Sequence, residues 1–100
     1  MPVSLSSSQK RYLRGLAHDL RPVILVGNKG VSDALIAELD LVLERHELVK
    51  VRVAAEDRES RDAMVADIAQ RSDAELVQRI GNVASLYRPS KESPQIALPR

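Results

Sequence analysis

The chain has 100 residues, of which 44% are hydrophobic, and this length suffices for one domain, residues 1–100, with one modest core. It contains no cysteine and only two aromatic residues, which excludes disulfides, thiolate metal sites and an RNA-binding surface built from aromatic platforms. No apolar run approaches the roughly 20 residues of a membrane helix, and the first residues lack the apolar stretch of a secretory signal. We therefore expect a cytoplasmic protein without a membrane partner.

The net charge is only +1, but the charges are segregated along the chain. Residues 1–30 carry five basic side chains against one acid, whereas residues 31–47 carry five acids against one base. Residues 76–100 are again basic. If both ends of the chain fold onto one side, they form the local positive face that phosphate binding requires; otherwise the charges are solvated helix surfaces.

The first predicted elements are a helix and a strand. Ser6, Ser7 and Ser8 offer helix N-caps, and Pro22 ends the helical region. The apolar run of residues 23–26 is typical of a strand buried on both faces. In the helix, one set of positions recurs at apolar helical spacing, Tyr12, Leu13, Leu16 and Leu20, and a second set is basic and shares another face, Arg11, Arg14 and His18.

A second helix and a second strand follow. Ser32 is a good N-cap, and an apolar stripe runs from Leu35 to Leu43 and ends at about His46. Residues 48–54 then alternate, which predicts a half-exposed strand. Its valines at positions 49, 51 and 53 point to one side, and its outward face is basic through Lys50 and Arg52.

The last third of the chain predicts a helix and a hairpin. Asp57 or Ser60 caps a third helix that continues to about Arg71, with Met64, Val65 and Ile68 directed inward. Residues 76–80 and 83–87 form two strands around a turn at residues 81 and 82, and residues 88–100 form a tail that is ordered only if it packs on the sheet. The order α-β-α-β-α-β-β predicts a layered α/β domain with three helices on a four-stranded mixed sheet.

The loop after the first strand carries the main functional argument. Gly27 and Gly30 flank Asn28 and Lys29, and this Gly27–Gly30 segment is called the GxxG loop below. Glycines allow a tight loop against which a sugar-phosphate chain can lie, the following helix adds free N–H groups, and Lys29 adds a positive charge. The spacing fits neither a nucleotide P-loop nor a dinucleotide fingerprint. The loop therefore indicates nucleic-acid backbone as the ligand.

The sequence offers little evidence for a catalytic site or a metal site. His18 and His46 have no second ligand at helical spacing, and the acids around Asp57 alternate with arginines as caps and ion pairs do. We therefore expect no enzyme activity, metal, cofactor or small-molecule substrate. His18 either caps backbone carbonyls or contacts RNA, and Tyr87 with Arg88 either packs in a strand or contacts RNA.

Six short motifs also occur together along the chain: Gly15-Leu16-Ala17-His18, Arg21-Pro22-Val23, Gly27-Asn28-Lys29-Gly30, His46-Glu47-Leu48-Val49-Lys50-Val51, Glu56-Asp57-Arg58-Glu59 and Leu86-Tyr87-Arg88-Pro89. In order and spacing they resemble the CRM-domain family (chloroplast RNA splicing and ribosome maturation), especially its stand-alone bacterial YhbY-like members. The resemblance covers residues 4 to about 100. It implies a fold like the C-terminal domain of translation initiation factor three, a KH-like GxxG loop, and association with precursors of the large ribosomal subunit.

The leading hypothesis is a monomeric RNA-binding protein, a ribosome-assembly factor that binds ribosomal RNA of the precursor large subunit. The alternatives are a protein-interaction or regulatory module whose basic face meets an acidic protein, and a small enzyme. We expect RNA to contact the GxxG loop, the first helix, the outward face of the second strand and the start of the tail. The candidate residues are Gly27, Asn28, Lys29, Gly30, Lys10, Arg11, Arg14, His18, Lys50, Arg52 and Arg88.

Overall fold

The computed structural model describes residues 5–27, 30–92 and 94–99. It confirms the predicted order of three helices and four strands in one mixed sheet. No helix of the described residues is long and apolar enough to cross a membrane. The elements are α1 (Ser7–Ala17), β1 (Pro22–Val26), α2 (Asp33–His46), β2 (Leu48–Val53), α3 (Arg58–Arg71), β3 (Glu75–Ile80) and β4 (Val83–Tyr87).

Each helix begins at a predicted cap. The Ser6 hydroxyl accepts a hydrogen bond from the Gln9 N–H at 3.2 Å, while the Gln9 side chain accepts one from the Ser6 N–H at 3.0 Å. Ser32 caps α2, and its hydroxyl accepts from the N–H of the third helical residue at 3.1 Å. Of the two candidates for α3, Asp57 is the cap, and hydrogen bonds from Ser60 lower the pKa of its carboxyl.

The sheet has the strand order β1-β2-β4-β3. Strand β1 runs parallel to β2, whereas β4 is antiparallel to both β2 and β3. The predicted hairpin of β3 and β4 is confirmed, and Gly81 in its turn has a φ of 60°. Because β4 inserts between β2 and β3, the centre of the sheet is formed by β2 and β4.

The two faces of the sheet carry separate cores. Helices α2 and α3 cover one face, which we call the closed face; its core includes Ile24, Val26, Leu39, Leu43, Val49, Val51, Val53, Val65, Ile68, Ala84 and Leu86. Helix α1 packs on the other face, against β2, β3 and β4. The smaller core beneath it consists of Leu13, Ala17, Leu48, Val77 and Tyr87, with Leu5, Ile96 and Leu98 packed at its edge.

The prediction that residues 23–26 are buried on both faces is wrong. The side chains of Val23 and Leu25 are 57% and 67% exposed, whereas Ile24 and Val26 belong to the core of the closed face. Strand β1 lies at the edge of the sheet, and α1 packs mainly on the three other strands. An unbroken apolar run here marks a strand that is buried on one face only.

The inward face of α1 is narrower than its apolar spacing predicts. Leu13 and Ala17 are buried, but Tyr12, Leu16 and Leu20 remain between 38% and 42% exposed. One short helix covers only part of a sheet face, so Tyr12 and Leu16 at the sides of its stripe stay in contact with water, and Leu20 lies beyond the end of α1 at Ala17.

The C-terminal tail packs on the rest of the domain. This is the condition under which the sequence analysis expects the tail to be ordered. Glu47, which joins α2 to β2, is fully buried and has a φ of 65°. Its carboxylate accepts backbone hydrogen bonds from Ser90 at 2.7 Å, Gln95 at 2.7 Å and Ile96 at 2.8 Å. Glu44, one turn earlier, accepts from the Lys91 N–H at 3.1 Å. These two acids hold the tail beside the core under α1.

Candidate nucleic-acid interface

The outward face of α1 is basic. Arg11, Arg14 and His18 are spaced three and four residues apart, so they share one side of the helix, and all three are exposed. They line one wall of a cleft of about 660 Å³ between α1 and the sheet, together with Gly15. This cleft is called the basic cleft below.

The floor of the basic cleft is a cross-strand row of side chains. Strand pairing aligns Pro22 with Lys50, Lys50 with Ser85, and Ser85 with Gln78, and all four residues line the cleft. Side chains alternate along a strand, so this row lies on the face opposite the buried valines of β2. Lys50 therefore lines the same cleft as Arg11 and Arg14 of α1. This agrees with the sequence-based prediction that the outward face of β2 is basic.

A second row follows one step along the strands. It aligns Leu25, Arg52, Val83 and Ile80, and the last two of these also line the basic cleft. On the other side of the first row, Leu48 and Tyr87 pair beneath α1 and are buried. Helix α1 thus covers one end of this face and leaves the two rows accessible; we call them the open rows.

The GxxG loop lies at the end of the sheet beyond the open rows. Strand β1 enters the first row at Pro22 and the second at Leu25, and Gly27 follows the strand. At about 3.3 Å per residue, Gly27 is about 16 Å along β1 from Pro22. A ligand that contacts both the basic cleft and the loop must therefore be an extended molecule.

The two ends of the loop are tied together. The Gly30 N–H donates to the Gly27 carbonyl at 3.1 Å, and Gly30 has a φ of 87°, a conformation that favours glycine. A Cβ added at Gly27 would meet no atom of the described, non-neighbouring residues within 4 Å, so their packing does not require glycine there. Asn28 and Lys29, which the sequence predicts to contact nucleic-acid backbone, lie outside the described residues.

The cations of this surface differ in their availability. Within the described chain, no acidic side chain pairs with Arg11, Arg14, Lys50 or Arg52. Lys10 points toward β3, where its Nζ lies 3.9 Å from an oxygen of Glu75. Unpaired cations that converge on a cleft suit phosphate groups, because no internal ion pair has to break when the ligand binds.

Arg88 does not line the basic cleft, and the structure gives this predicted RNA contact partners inside the protein. Its side chain is 13% exposed, and its Nη1 donates to Asp40 at 2.8 Å and to the Ser72 carbonyl at 2.8 Å. The guanidinium thereby joins α2 to the end of α3. Tyr87 is 3% exposed and burial raises the pKa of its hydroxyl, so of the two roles considered for this residue strand packing is the observed one.

Sequence reasoning missed Gly15, Gln78 and Ser85, which line the basic cleft. The alternation of polar and apolar residues in β3 and β4 could have identified Gln78 and Ser85, because each is a polar residue within a predicted strand. Their meeting with Lys50 depends on β4 lying between β2 and β3, which no local pattern specifies.

Several known proteins are similar to this chain over most of its length. A family model described as the CRS1 / YhbY (CRM) domain matches residues 5–88. An RNA-binding protein of Haemophilus influenzae is 44% identical over 97 residues, which is 97% of each chain. A Bacillus subtilis protein named as a probable RNA-binding protein is 42% identical over 95 residues, 95% of this chain and 99% of that one. The solution structure of a Staphylococcus aureus protein matches with a TM-score of 0.83 and 38% identity, covering 96% of this chain and all of that one. The chain belongs to the CRM-domain family.

Proposed function

We propose that the protein binds RNA across the basic cleft, the open rows and the GxxG loop. One observation carries this proposal: Arg11, Arg14 and Lys50, from a helix and a strand that are distant in sequence, converge on one cleft without an acidic partner among residues 5–27, 30–92 and 94–99. Two relatives that match nearly the whole chain are named for RNA binding, which supports the same ligand. The distance from cleft to loop suits a nucleic-acid strand better than a small molecule.

Electrostatic attraction to phosphates supplies most of the affinity in this mechanism. The arginines and Lys50 take phosphates at the cleft, Arg52 continues the positive track on the second open row, and Lys29 acts at the loop. Gly27 and Gly30 let the sugar-phosphate backbone approach the start of α2, whose N-terminal dipole favours negative charge. His18 at the end of α1 adds a hydrogen-bond donor, and Lys10 contributes long-range attraction. The protein acts as a binder and catalyses no reaction.

The biological substrate in this proposal is ribosomal RNA of the precursor large subunit, where the protein acts as an assembly factor in the cytoplasm as a monomer. This follows from the resemblance of its six motifs to the bacterial YhbY-like members. Co-sedimentation of the protein with precursor particles, followed by crosslinking to locate the RNA segment, tests this assignment. Crosslinks confined to messenger or transfer RNA would contradict it.

The binding proposal is tested by RNA affinity across a salt series. The variant R11A/R14A removes two exposed cations of the cleft, and the matched control R45A/K91A removes two exposed cations from α2 and the tail. We expect weaker binding for the first variant, with the slope of log affinity against log salt reduced by about 0.7 per lost contact to a single strand. The control keeps the wild-type slope.

Equal RNA affinities for the wild type and R11A/R14A would show that the basic cleft does not contribute to RNA binding. The protein-interaction alternative makes a different prediction, namely that the wild type binds no RNA with salt dependence but captures an acidic protein through the same arginines.

A further inference from the structure

The floor of the basic cleft holds polar groups that the fold does not use. The Ser85 side chain hydroxyl and the Gln78 side-chain amide have no hydrogen-bond partner within the described chain, although Ser85 is only 4% exposed. Both lie in the first open row and line the cleft. Among the described residues the buried side-chain atoms without a partner are Arg61 Nε and Arg88 Nε, so the Ser85 hydroxyl and the Gln78 amide are accessible from the cleft and free to bond a ligand.

Apolar side chains surround these two groups. Pro22, Val83 and Ile80 line the same cleft, and Ile80 is 69% exposed. A surface that contacts only phosphates has no need of exposed aliphatic side chains. A flat ring with hydrogen-bonding groups on its edge needs both kinds of contact, aliphatic groups against its faces and polar groups against its edge. Nucleic-acid bases have this character.

Gly15 supplies a second, independent observation. It lies in the interior of α1, where alanine is the better helix former, and it has an ordinary helical backbone. A Cβ added there would meet no protein atom within 4 Å, and the position lines the basic cleft between Arg14 and His18. No contact among the residues that the structure describes explains this glycine, whereas close approach of a ligand to the helix does.

We propose that the basic cleft is a site for one unpaired nucleotide of the bound RNA. The base enters between α1 and the first open row, where Gln78 and Ser85 bond its edge and the aliphatic side chains contact its face. Its sugar and phosphate pass over Gly15, within reach of Arg11 and Arg14. The proposal rests on RNA being the ligand and adds that the protein selects RNA with an exposed base.

A base in a continuous duplex is not available to this site. Its edge is paired and its faces are stacked, and double-stranded RNA is recognised mainly through backbone and groove shape. The cleft volume of about 660 Å³ leaves room for a nucleotide that has left the stack. The Gln78 amide offers one donor and one acceptor to the base, the combination with which glutamine pairs bidentately with adenine.

The test compares two RNA hairpins that differ only in one unpaired nucleotide in the stem. We expect the wild type to bind the bulged hairpin about tenfold more tightly than the fully paired one, the preference that one good set of base contacts supplies. Variants Q78L and S85V keep the net charge, and each is expected to reduce this preference while leaving the salt dependence unchanged. Q70L, an exposed change on α3 at the closed face, is the matched control for Q78L.

The variant G15A covers the case in which a sheet variant fails to fold, because an added methyl group meets no protein atom. It is expected to fold and to lose preference for the bulged hairpin. Equal binding of both hairpins by the wild type, with normal salt dependence, would overturn the nucleotide site and leave RNA binding intact. Absence of salt-dependent binding to either hairpin would instead overturn the proposed function. If Q78L, S85V and G15A all kept the wild-type preference for the bulged hairpin, the proposal that a base binds in this cleft would also be wrong.

Discussion

The two faces of the sheet use cations in opposite ways. On the side of α2 and α3, three arginines are engaged by acids: Arg71 with Asp33 and Asp67, Arg79 with Asp62, and Arg88 with Asp40. On the side of α1, the cations of the basic cleft have no acidic partner among the described residues. Residue type alone therefore does not mark a phosphate site. The presence or absence of a carboxylate partner separates a structural arginine from one that is free to bind.

The amount of helix over each face explains this difference. Two helices of 14 residues cover the closed face, and the aspartates that engage its arginines lie on them: Asp33 and Asp40 on α2, Asp62 and Asp67 on α3. The other face carries one helix of 11 residues, which leaves the open rows uncovered. Polar and basic side chains remain there without partners in the described part of the chain, which makes them available to a ligand.

The largest expected effect on stability concerns Glu47, which holds the tail to the side of α1. The variant E47A removes a buried carboxylate and leaves the N–H groups of Ser90, Gln95 and Ile96 without their acceptor. We expect the free energy of unfolding to fall by about 2–4 kcal/mol. Chemical denaturation measures the loss, and hydrogen exchange should be fastest in the tail and α1. A loss below about 0.5 kcal/mol would contradict the anchoring role.

A smaller loss of stability is expected for R88A, which tests the structural use of cations. Truncation leaves the Asp40 carboxylate and the Ser72 carbonyl without their partly buried donor. The expected cost is about 2 kcal/mol, with RNA affinity per folded molecule unchanged. Denaturation and RNA titration on the same sample check both parts. Reduced affinity in the folded fraction would place Arg88 in the RNA surface after all.

The loop variant N28D/K29D tests the opposite end of the RNA surface. It removes the Lys29 charge and adds two carboxylates near the start of α2, so affinity should fall by about tenfold or more while the fold persists. The control Q70E/R45E makes the same net change in charge at exposed positions of α3 and α2. Affinity across a salt series, with circular dichroism for folding, provides the measurement. An unchanged affinity in the folded loop variant would confine RNA binding to the basic cleft.

The variant G15A separates stability from binding on α1. Replacing a glycine in a helix interior by alanine should raise the free energy of unfolding by about 0.5–1 kcal/mol, because the unfolded chain loses freedom and no protein atom is displaced. A thermal melt of the free protein measures this gain. A loss of stability would show that the position has a packing requirement inside the fold.

The smallest effect concerns pH and the tail. The hydrogen bond from the Ser90 hydroxyl, followed by the backbone bond from Lys91, lowers the pKa of Glu44 below its ordinary value. The stabilisation is therefore present above the ordinary carboxyl pKa and is lost as the pH falls through the lowered value. Hydrogen exchange at residues 90–92 should rise in that acidic range in the wild type. In E44Q this part of the pH dependence should be absent, and its persistence would assign it to another group.

Much of the local structure is predictable from particular residues. Ser32 and Asp57 cap the helices at the predicted places, the alternation of β2 separates its valines from Lys50 and Arg52, and Gly81 lies in the hairpin turn. These features depend on contacts between residues that are close together in the chain, so the local sequence is enough to predict them. The shared basic face of Arg11, Arg14 and His18 follows in the same way from helical spacing.

The failures share one physical reason. Whether Val23 and Leu25 are buried depends on which helix covers the edge of the sheet, and whether Arg88 is free depends on where Asp40 lies. Neither partner is a neighbour in the chain. Glu47 was also missed as an anchor, because its bonds to the tail join residues more than 40 positions apart.

By itself, the sequence determined the element order, the helix caps, the basic face of α1, the glycines of the loop and, through its six motifs, the resemblance to the CRM-domain family. Only the tertiary structure decided that β4 lies between β2 and β3, which places Ser85 beside Lys50 and Gln78 and gives the basic cleft its floor. It also decided which arginines are paired. Local patterns specify where helices and strands begin and which side chains share a face, but the packing of distant elements determines which faces meet and which remain open to a ligand.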